Sequence, residues 1–211
     1  MDACVLLGDV VGSRDLSNRA VFGTSLEAAC RSVDEAFADA VIAPATPLKG
    51  VDEVGVVLED WRVVYGVVRR FYEAVHPVRV RFAAATGDID VGVESGRVPA
   101  MDGPAFHRAD EMLASVADAG LLFDLAVSES TLDRAIADEV NLLLRWRAGL
   151  TERQAEYIRA YERRGTQAAA ATDLGVTQQA VSNELRDVGW PFVDRIERRL
   201  ERTLEEYADA T

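Results

Sequence analysis

The apolar positions fall into runs and periods that alternate along the first two thirds of the chain. Cys4-Val5-Leu6-Leu7-Gly8-Asp9-Val10-Val11 is a continuous apolar run ended by Gly and Asp, and it reads as a buried strand. Leu26, Ala29, Cys30, Val33 and Phe37 then recur at helical spacing within residues 20–41, with Pro44 and Pro47 as the expected closers. Leu48 to Leu58 reads as two short strands around a tight acidic turn. A helix is expected over residues 61–75, and Val78 to Ala85 alternates and then turns apolar, as a strand does. Residues 87–104 are rich in loop formers, a helix follows over 105–117, and Leu121 to Val127 is the last strand expected. Ser128 is positioned to cap a helix running to about Arg147.

The order strand, helix, strand, strand, helix, strand is that of a ferredoxin-like split βαβ unit, here extended by one helix and one strand. The fold class expected is therefore an α+β ferredoxin-like (cyclase-like) domain over residues 1–148, followed by an all-α helix-turn-helix domain over 149–211. The second unit begins with a capping-box pattern, Thr151-Glu152-Arg153-Gln154, and Gly165 ends the helix that it opens. An Ala-rich stretch leads to Gly175-Val176-Thr177, a tight turn whose threonine caps the next helix. On that helix Val181, Leu185 and Val188 share one face, while Gln178, Gln179, Ser182, Asn183 and Arg186 share the opposite one. With Thr177, these are side chains able to read base edges or hold phosphates, so double-stranded DNA is the expected partner. The alternative is a helical hairpin used only for packing. Pro191 starts a final helix in which Phe192, Ile196, Leu200, Leu204 and Tyr207 form an apolar stripe, for packing or as part of a homodimer seam.

Composition changes this picture in one respect. The 211 residues carry a formal net charge of −13, which argues against a DNA binder taken at face value. Lys49 is the sole lysine, and an acidic, lysine-poor chain resembles a salt-adapted, haloarchaeal proteome, in which negative surface serves solubility. The charge is also uneven: residues 1–144 are net −12 and residues 145–211 net −1, so the helical part can approach phosphates. No apolar run approaches the roughly 18 residues of a membrane span, and Met1-Asp2-Ala3-Cys4 lacks a basic signal region. A cytoplasmic protein with Cys4 and Cys30 as reduced thiols is expected.

Three clusters carry candidate chemistry: Gly8-Asp9-Val10-Val11-Gly12-Ser13-Arg14, the pair Asp52-Glu53, and Met101-Asp102-Gly103-Pro104-Ala105-Phe106-His107-Arg108-Ala109. In a split βαβ fold the end of the first strand approaches the turn between the second and third. Carboxylates from both would suit Mg²⁺, with Gly12 and Ser13 offering backbone N–H groups to a phosphate. The bland alternative is that Asp9 and Asp52 merely cap turns.

These residues resemble the SatD family, whose pattern runs "GD-[IV]-[IV]-x-S-[KR]", "GDE-[FL]", "R-x-G-[IV]-G" and "DG-[PA]-A-[FY]-x-[RA]-A". The layout also resembles the class III nucleotidyl cyclase and GGDEF catalytic fold. That resemblance implies Asp9 and Asp52 as metal carboxylates, with Arg81, Asp102, His107 and Arg108 lining the remaining cleft; Gly12, Ser13, Arg14 and Glu53 of the clusters above are the other expected ligand residues. Leu150 to Gln154 and Leu174 to Ser182 resemble sigma-factor region four and LuxR-type regulators, implying a recognition helix in the major groove. The chain departs from the SatD pattern at Val51 and Val54, and at Ala83 and Ala85, where glycines are expected; side chains there would narrow a nucleotide pocket. The expectation is a DNA-binding transcriptional regulator whose first domain senses a nucleotide or phosphate ligand with Mg²⁺. The alternatives are a Mg-dependent nucleotidyl cyclase-like or phosphoryl-transfer enzyme with a DNA-localising module, and a structural dimerisation domain on a DNA reader.

Overall fold

The computed structural model describes residues 1–128 and 131–209. In chain order the elements are β1 Asp2–Val10, α1 Arg19–Ala36, β2 Val41–Pro47, β3 Glu53–Leu58, α2 Val64–Val75, β4 Val80–Asp88, α3 Pro104–Asp118 and β5 Phe123–Ala126. Five helices complete the described chain: α4 Thr131–Ala148, α5 Glu152–Arg164, α6 Gln167–Leu174, α7 Gln178–Asp187 and α8 Trp190–Ala208. The strands form one mixed sheet in the order β2-β3-β1-β4-β5. Neighbours are antiparallel except β4 and β5, which are parallel and joined through α3.

The apolar run of β1 is continuous because both of its faces are covered. Cys4, Leu6 and Val10 belong to the core under α1 and α2, while Ala3, Val5 and Leu7 belong to the smaller core under α3. Gly8 lies where the Phe82 ring crosses the strand: a Cβ there would sit 2.7 Å from the ring, so no larger residue fits without moving it.

Where the elements differ from expectation, the cause is local. α1 ends at Ala36, and Pro44 and Pro47 lie within β2 instead of closing the helix. β2 is an edge strand, the place in a sheet where a missing N–H is tolerated. β5 is shorter than Leu121 to Val127: side chains take the N–H groups just outside it, Asn141 Oδ1 that of Leu122 at 2.7 Å and Asp133 Oδ2 that of Val127 at 3.1 Å. The cap expected at Ser128 adjoins residues 129–130, which lie outside the described residues; the Ser128 N–H donates to Asp133 at 3.0 Å. In α8 the buried series is Trp190, Val193, Glu197, Leu200, Leu204 and Tyr207, and Phe192 is exposed.

The core does not divide at Gly149-Leu150. One apolar cluster runs from Cys4 and Leu6 in β1 through Leu144 in α4 to Ile158, Val181 and Leu204 in the last helices. Within it lies a buried charge network. Arg147 of α4 pairs with Glu73 of α2 at 2.8 Å, Glu197 of α8 at 2.8 Å and Glu162 of α5 at 3.5 Å. Arg69 of α2 reaches the same three carboxylates at 3.4–3.7 Å. The Tyr65 hydroxyl donates to Glu197 at 2.5 Å, and the Arg147 guanidinium lies 5.8 and 5.7 Å from the ring centres of Trp146 and Trp190. Buried charges persist only when paired and hydrogen-bonded; here the pairing ties the sheet's helix α2 to three helices of the second half.

Candidate functional site

At the end of β1, strand register sets three charged groups in a row. Asp9 lies opposite Glu53 of β3 on one side and Arg81 of β4 on the other. Alternation places all three on the α3 face, because their neighbours Val10, Val54, Val80 and Phe82 belong to the opposite core. Arg81 donates to Asp9 at 3.1 Å, and Lys49 pairs with Glu53 at 2.6 Å. Burial pushes the Asp9 carboxyl up; Arg81 opposes this, and Glu53 and Asp52 add to it.

Asp52 stands one residue before β3 and meets the α1 side. Arg19, the first residue of α1, donates to its carboxylate at 2.9 Å and to the Ser13 carbonyl at 2.8 Å. Hydrogen bonds from the Ser13 hydroxyl and from Arg19 hold the Asp52 carboxyl below its usual range. Arg19 thus pins the loop through Gly12, Ser13 and Arg14 to the β2–β3 turn.

Mg²⁺ binds carboxylate oxygens that are free to face it. Asp9 and Asp52 are each already neutralised by an arginine, one by Arg81 and the other by Arg19. Among the described residues no group of three or more His, Cys, Asp or Glu is gathered for a metal. As placed, both carboxylates face an arginine, so an ion held between them would have to displace Arg81 and Arg19.

Beside the row an open groove of about 550 Å³ runs between the β2–β3 turn and α3. Leu7, Val98, Met101 and Phe106 give it an apolar floor; Lys49, Glu53, His107, Asp110 and Glu111 give it a charged rim. Of the expected ligand residues, Glu53 and His107 line this groove. Asp102 pairs with His107 at 3.0 Å in solvent, and Arg108 is half-buried on α3, outside the lining. Gly12, Ser13, Arg14 and Asp52 gather instead at the start of α1. Sequence reasoning missed Lys49, Arg19, Asp110 and Glu111; the only signal for the last two was acidic residues one turn after His107 on the same helix.

The second candidate surface is α7. Thr151 and Gln154 form the reciprocal capping box that starts α5. Asp173 of α6 is gripped by Arg164 at 2.5 Å and Arg163 at 2.8 Å, which holds its carboxyl down to about 2 and fixes α6 against the end of α5. Gly175, at φ 67°, makes the left-handed turn between α6 and α7 that other residues adopt only under strain. The Thr177 hydroxyl accepts from the Ala180 N–H to cap α7. Val181 and Leu185 of α7 and Ala171 of α6 are buried in one cluster with Ile158 and Ala160 of α5. Thr177, Gln178, Gln179 and Arg186 are exposed, and Ser182 and Asn183 are half-exposed beside them. Asn183 Oδ1 accepts from Gln179 at 2.9 Å and from Arg186 at 2.8 Å, so the outer side chains form one linked row.

Together these features define a mixed α/β protein whose sheet carries a charged end and whose last third is helical. The chain belongs to the SatD family, which it matches over residues 3–187, from β1 to the last residue of α7. No curated protein matches it. Two solved structures of a bacterial light-regulated adenylyl cyclase are similar at 13% and 12% identity, with TM-scores of 0.41 and 0.42. Each similarity covers 59% of this chain, and 74% and 43% of the respective cyclase chains.

Proposed function

We propose that the protein is a DNA-binding regulator in which α6 and α7 form a helix-turn-helix and a ferredoxin-like sheet unit binds a small ligand. The observation that carries the DNA reading is the linked outer row of α7, Gln179, Asn183 and Arg186, with Gln178 beside it. Amides suit adenine and a guanidinium suits guanine or phosphate. This row sits on a helix fixed by a capped, left-handed turn, as docking into a major groove demands. The near-neutral charge of residues 145–211 supports it further. The sheet order β2-β3-β1-β4 with its two α-crossovers supports the split βαβ assignment.

For the ligand, the start of α1 is the favoured place. Arg14 and Arg19 lie beside the Gly12–Ser13 loop, and Arg81 stands at the neighbouring strand end. A nucleotide or similar phosphate ligand would exchange the Asp52 pair with Arg19 for its own, without a resident metal. Enrichment from a pool of random duplexes, at low and high salt, tests the first part: the full chain selects a sequence, and failure to enrich any duplex at any salt removes the DNA reading. Melting curves with ATP or GTP, with and without Mg²⁺, test the second. A rise that Arg19→Ala abolishes is expected, and no rise with either nucleotide removes the ligand assignment.

A further inference from the structure

In this acidic chain, arginines gather around one concave place. A cavity of about 420 Å³ opens between the second halves of α2 and α5, with Ser32 of α1 at its edge. Its walls carry Arg69, Arg70 and Glu73 from α2, and Arg159, Glu162 and Arg163 from α5. The volume falls within the roughly 300–1,000 Å³ of small-molecule sites.

Four guanidinium groups thus share one cavity with two carboxylates. Both carboxylates are already compensated by the buried network. Glu73 and Glu162 pair with Arg147 at 2.8 and 3.5 Å, and with Arg69 at 3.7 and 3.6 Å. Arg163 pairs with Asp173 of α6 at 2.8 Å. Arg70 and Arg159 make no ion pair with a described residue.

Both are nevertheless held in place. Arg70 Nε donates to the Ser32 carbonyl at 3.1 Å and to the Ser32 hydroxyl at 2.8 Å. Arg159 Nη1 donates to the Glu73 carbonyl at 3.2 Å. The two terminal nitrogens of Arg70, and Nε and Nη2 of Arg159, have no partner among the described residues. Two cations without counter-ions, each anchored through one nitrogen and open at the others, therefore stand on two helices of one cavity. Anchoring of this kind lowers the side-chain ordering that binding has to supply.

We propose that this cleft binds a small phosphate-bearing anion, gripped by Arg70 and Arg159. Two partnerless guanidinium groups match a dianion, and each planar fork matches two oxygens of a phosphate. Arg19 stands at the opposite end of α1, roughly 20 Å along the helix from Ser32. The cleft is thus separate from the ligand place at the start of α1, and it rests on neither that assignment nor the DNA reading. Its occupant would contact α2 of the sheet-bearing half and α5 of the helical part together.

Pyrophosphate in metal-free buffer is the probe. Sodium chloride at matched ionic strength is the control, because any salt screens a chain of net charge −13. Calorimetric titration of the full chain should show saturable binding, and melting curves a rise beyond the chloride control. Arg70→Gln and Arg159→Gln should each weaken the affinity about tenfold or more, as loss of a charge-assisted contact does, with circular dichroism unchanged. Arg19→Ala should leave the affinity as it is. No rise beyond chloride overturns the proposal. So does binding that either glutamine variant leaves unchanged, or binding that Arg19→Ala abolishes, which would put the anion at the start of α1. If pyrophosphate fails to bind while Arg159→Gln weakens a selected duplex, the cleft holds the DNA backbone and the proposal falls as well.

Discussion

The buried network of Arg69, Arg147, Glu73, Glu162 and Glu197 holds two positive groups against three carboxylates, and one carboxylate must go without full compensation. Burial and the nearby Glu73 push Glu162 from its ordinary 4.5 up to about 7, with Arg147 and Arg69 pulling the other way. Between those two values the folded chain keeps the proton and the unfolded chain has lost it. The sign follows: Glu162 contributes stability that is fully present below pH 4.5 and is lost as pH rises through about 7. At about 1.4 kcal/mol per pH unit, that interval is worth about 3 kcal/mol. Glu162→Gln copies the protonated group in shape and removes its titration. The variant should match the wild type near pH 5 and exceed it by about 3 kcal/mol at pH 8, or about 6–12 °C in melting temperature for a chain of this size. Urea and thermal melts of both proteins from pH 5 to pH 8.5 measure this. Parallel stability profiles for the two proteins would refute the reasoning, since they would mean that Glu162 titrates alike folded and unfolded.

Replacing Arg147 by Met should act in the opposite direction, costing about 3–5 kcal/mol near neutral pH by stranding Glu73 and Glu197; denaturant titration reads it. Arg186→Ala should leave the melting temperature unchanged and weaken binding to a selected duplex by about 1–3 kcal/mol in a gel-shift or anisotropy titration. Thr177→Ala should remove the cap of α7 and lower global stability by about 0.5–2 kcal/mol, seen by denaturant melts. Gly92 has φ 78° and a Cβ there would lie 1.8 Å from the Ala100 carbonyl oxygen, so Gly92→Val should destabilise the loop before α3 severely and cut the soluble yield.

Local patterning made most of the elements legible. β1 was readable because seven of its positions are buried, and α5 to α7 because each carries its own start residue, Thr151 with Gln154, Thr166 and Thr177, and the first two end at Gly165 and Gly175. Pro44 and Pro47 misled because their tolerance depends on β2 lying at the edge, which is a property of the whole sheet. The Asp9–Glu53–Arg81 row was half visible: its members were named, but their register pairing and the capture of Asp52 by Arg19 arise from strands and a loop far apart in sequence. The buried charges left a faint signal. Glu197 interrupts the apolar series Val193, Leu200, Leu204, and Arg147 follows Leu143 and Leu144 on the covered side of α4. A lone charge in such a stripe looks like a surface residue until its partners, here more than a hundred residues away for Tyr65, are brought beside it.

The last helix returns to the sheet-bearing half at its far end. The Tyr207 hydroxyl donates to Asp133 at 2.8 Å and stands beside the Ser128 hydroxyl, and its ring meets Trp61 edge-on at 5.3 Å. Asp133 in turn holds the N–H groups of Val127 and Ser128, the exit from β5. Helix α7 is therefore bracketed on both sides by elements packed against the sheet-bearing half, α4 and α5 before it and α8 after it. Such a chain cannot be treated as two exchangeable modules. A graft of residues 149–211 onto another protein would leave behind the partners of Glu162, Glu197 and Tyr207. A graft of residues 1–148 would open the same core from the other side. In this architecture the sheet and α7 are joined through packed side chains, with no tether whose length or stiffness could be tuned.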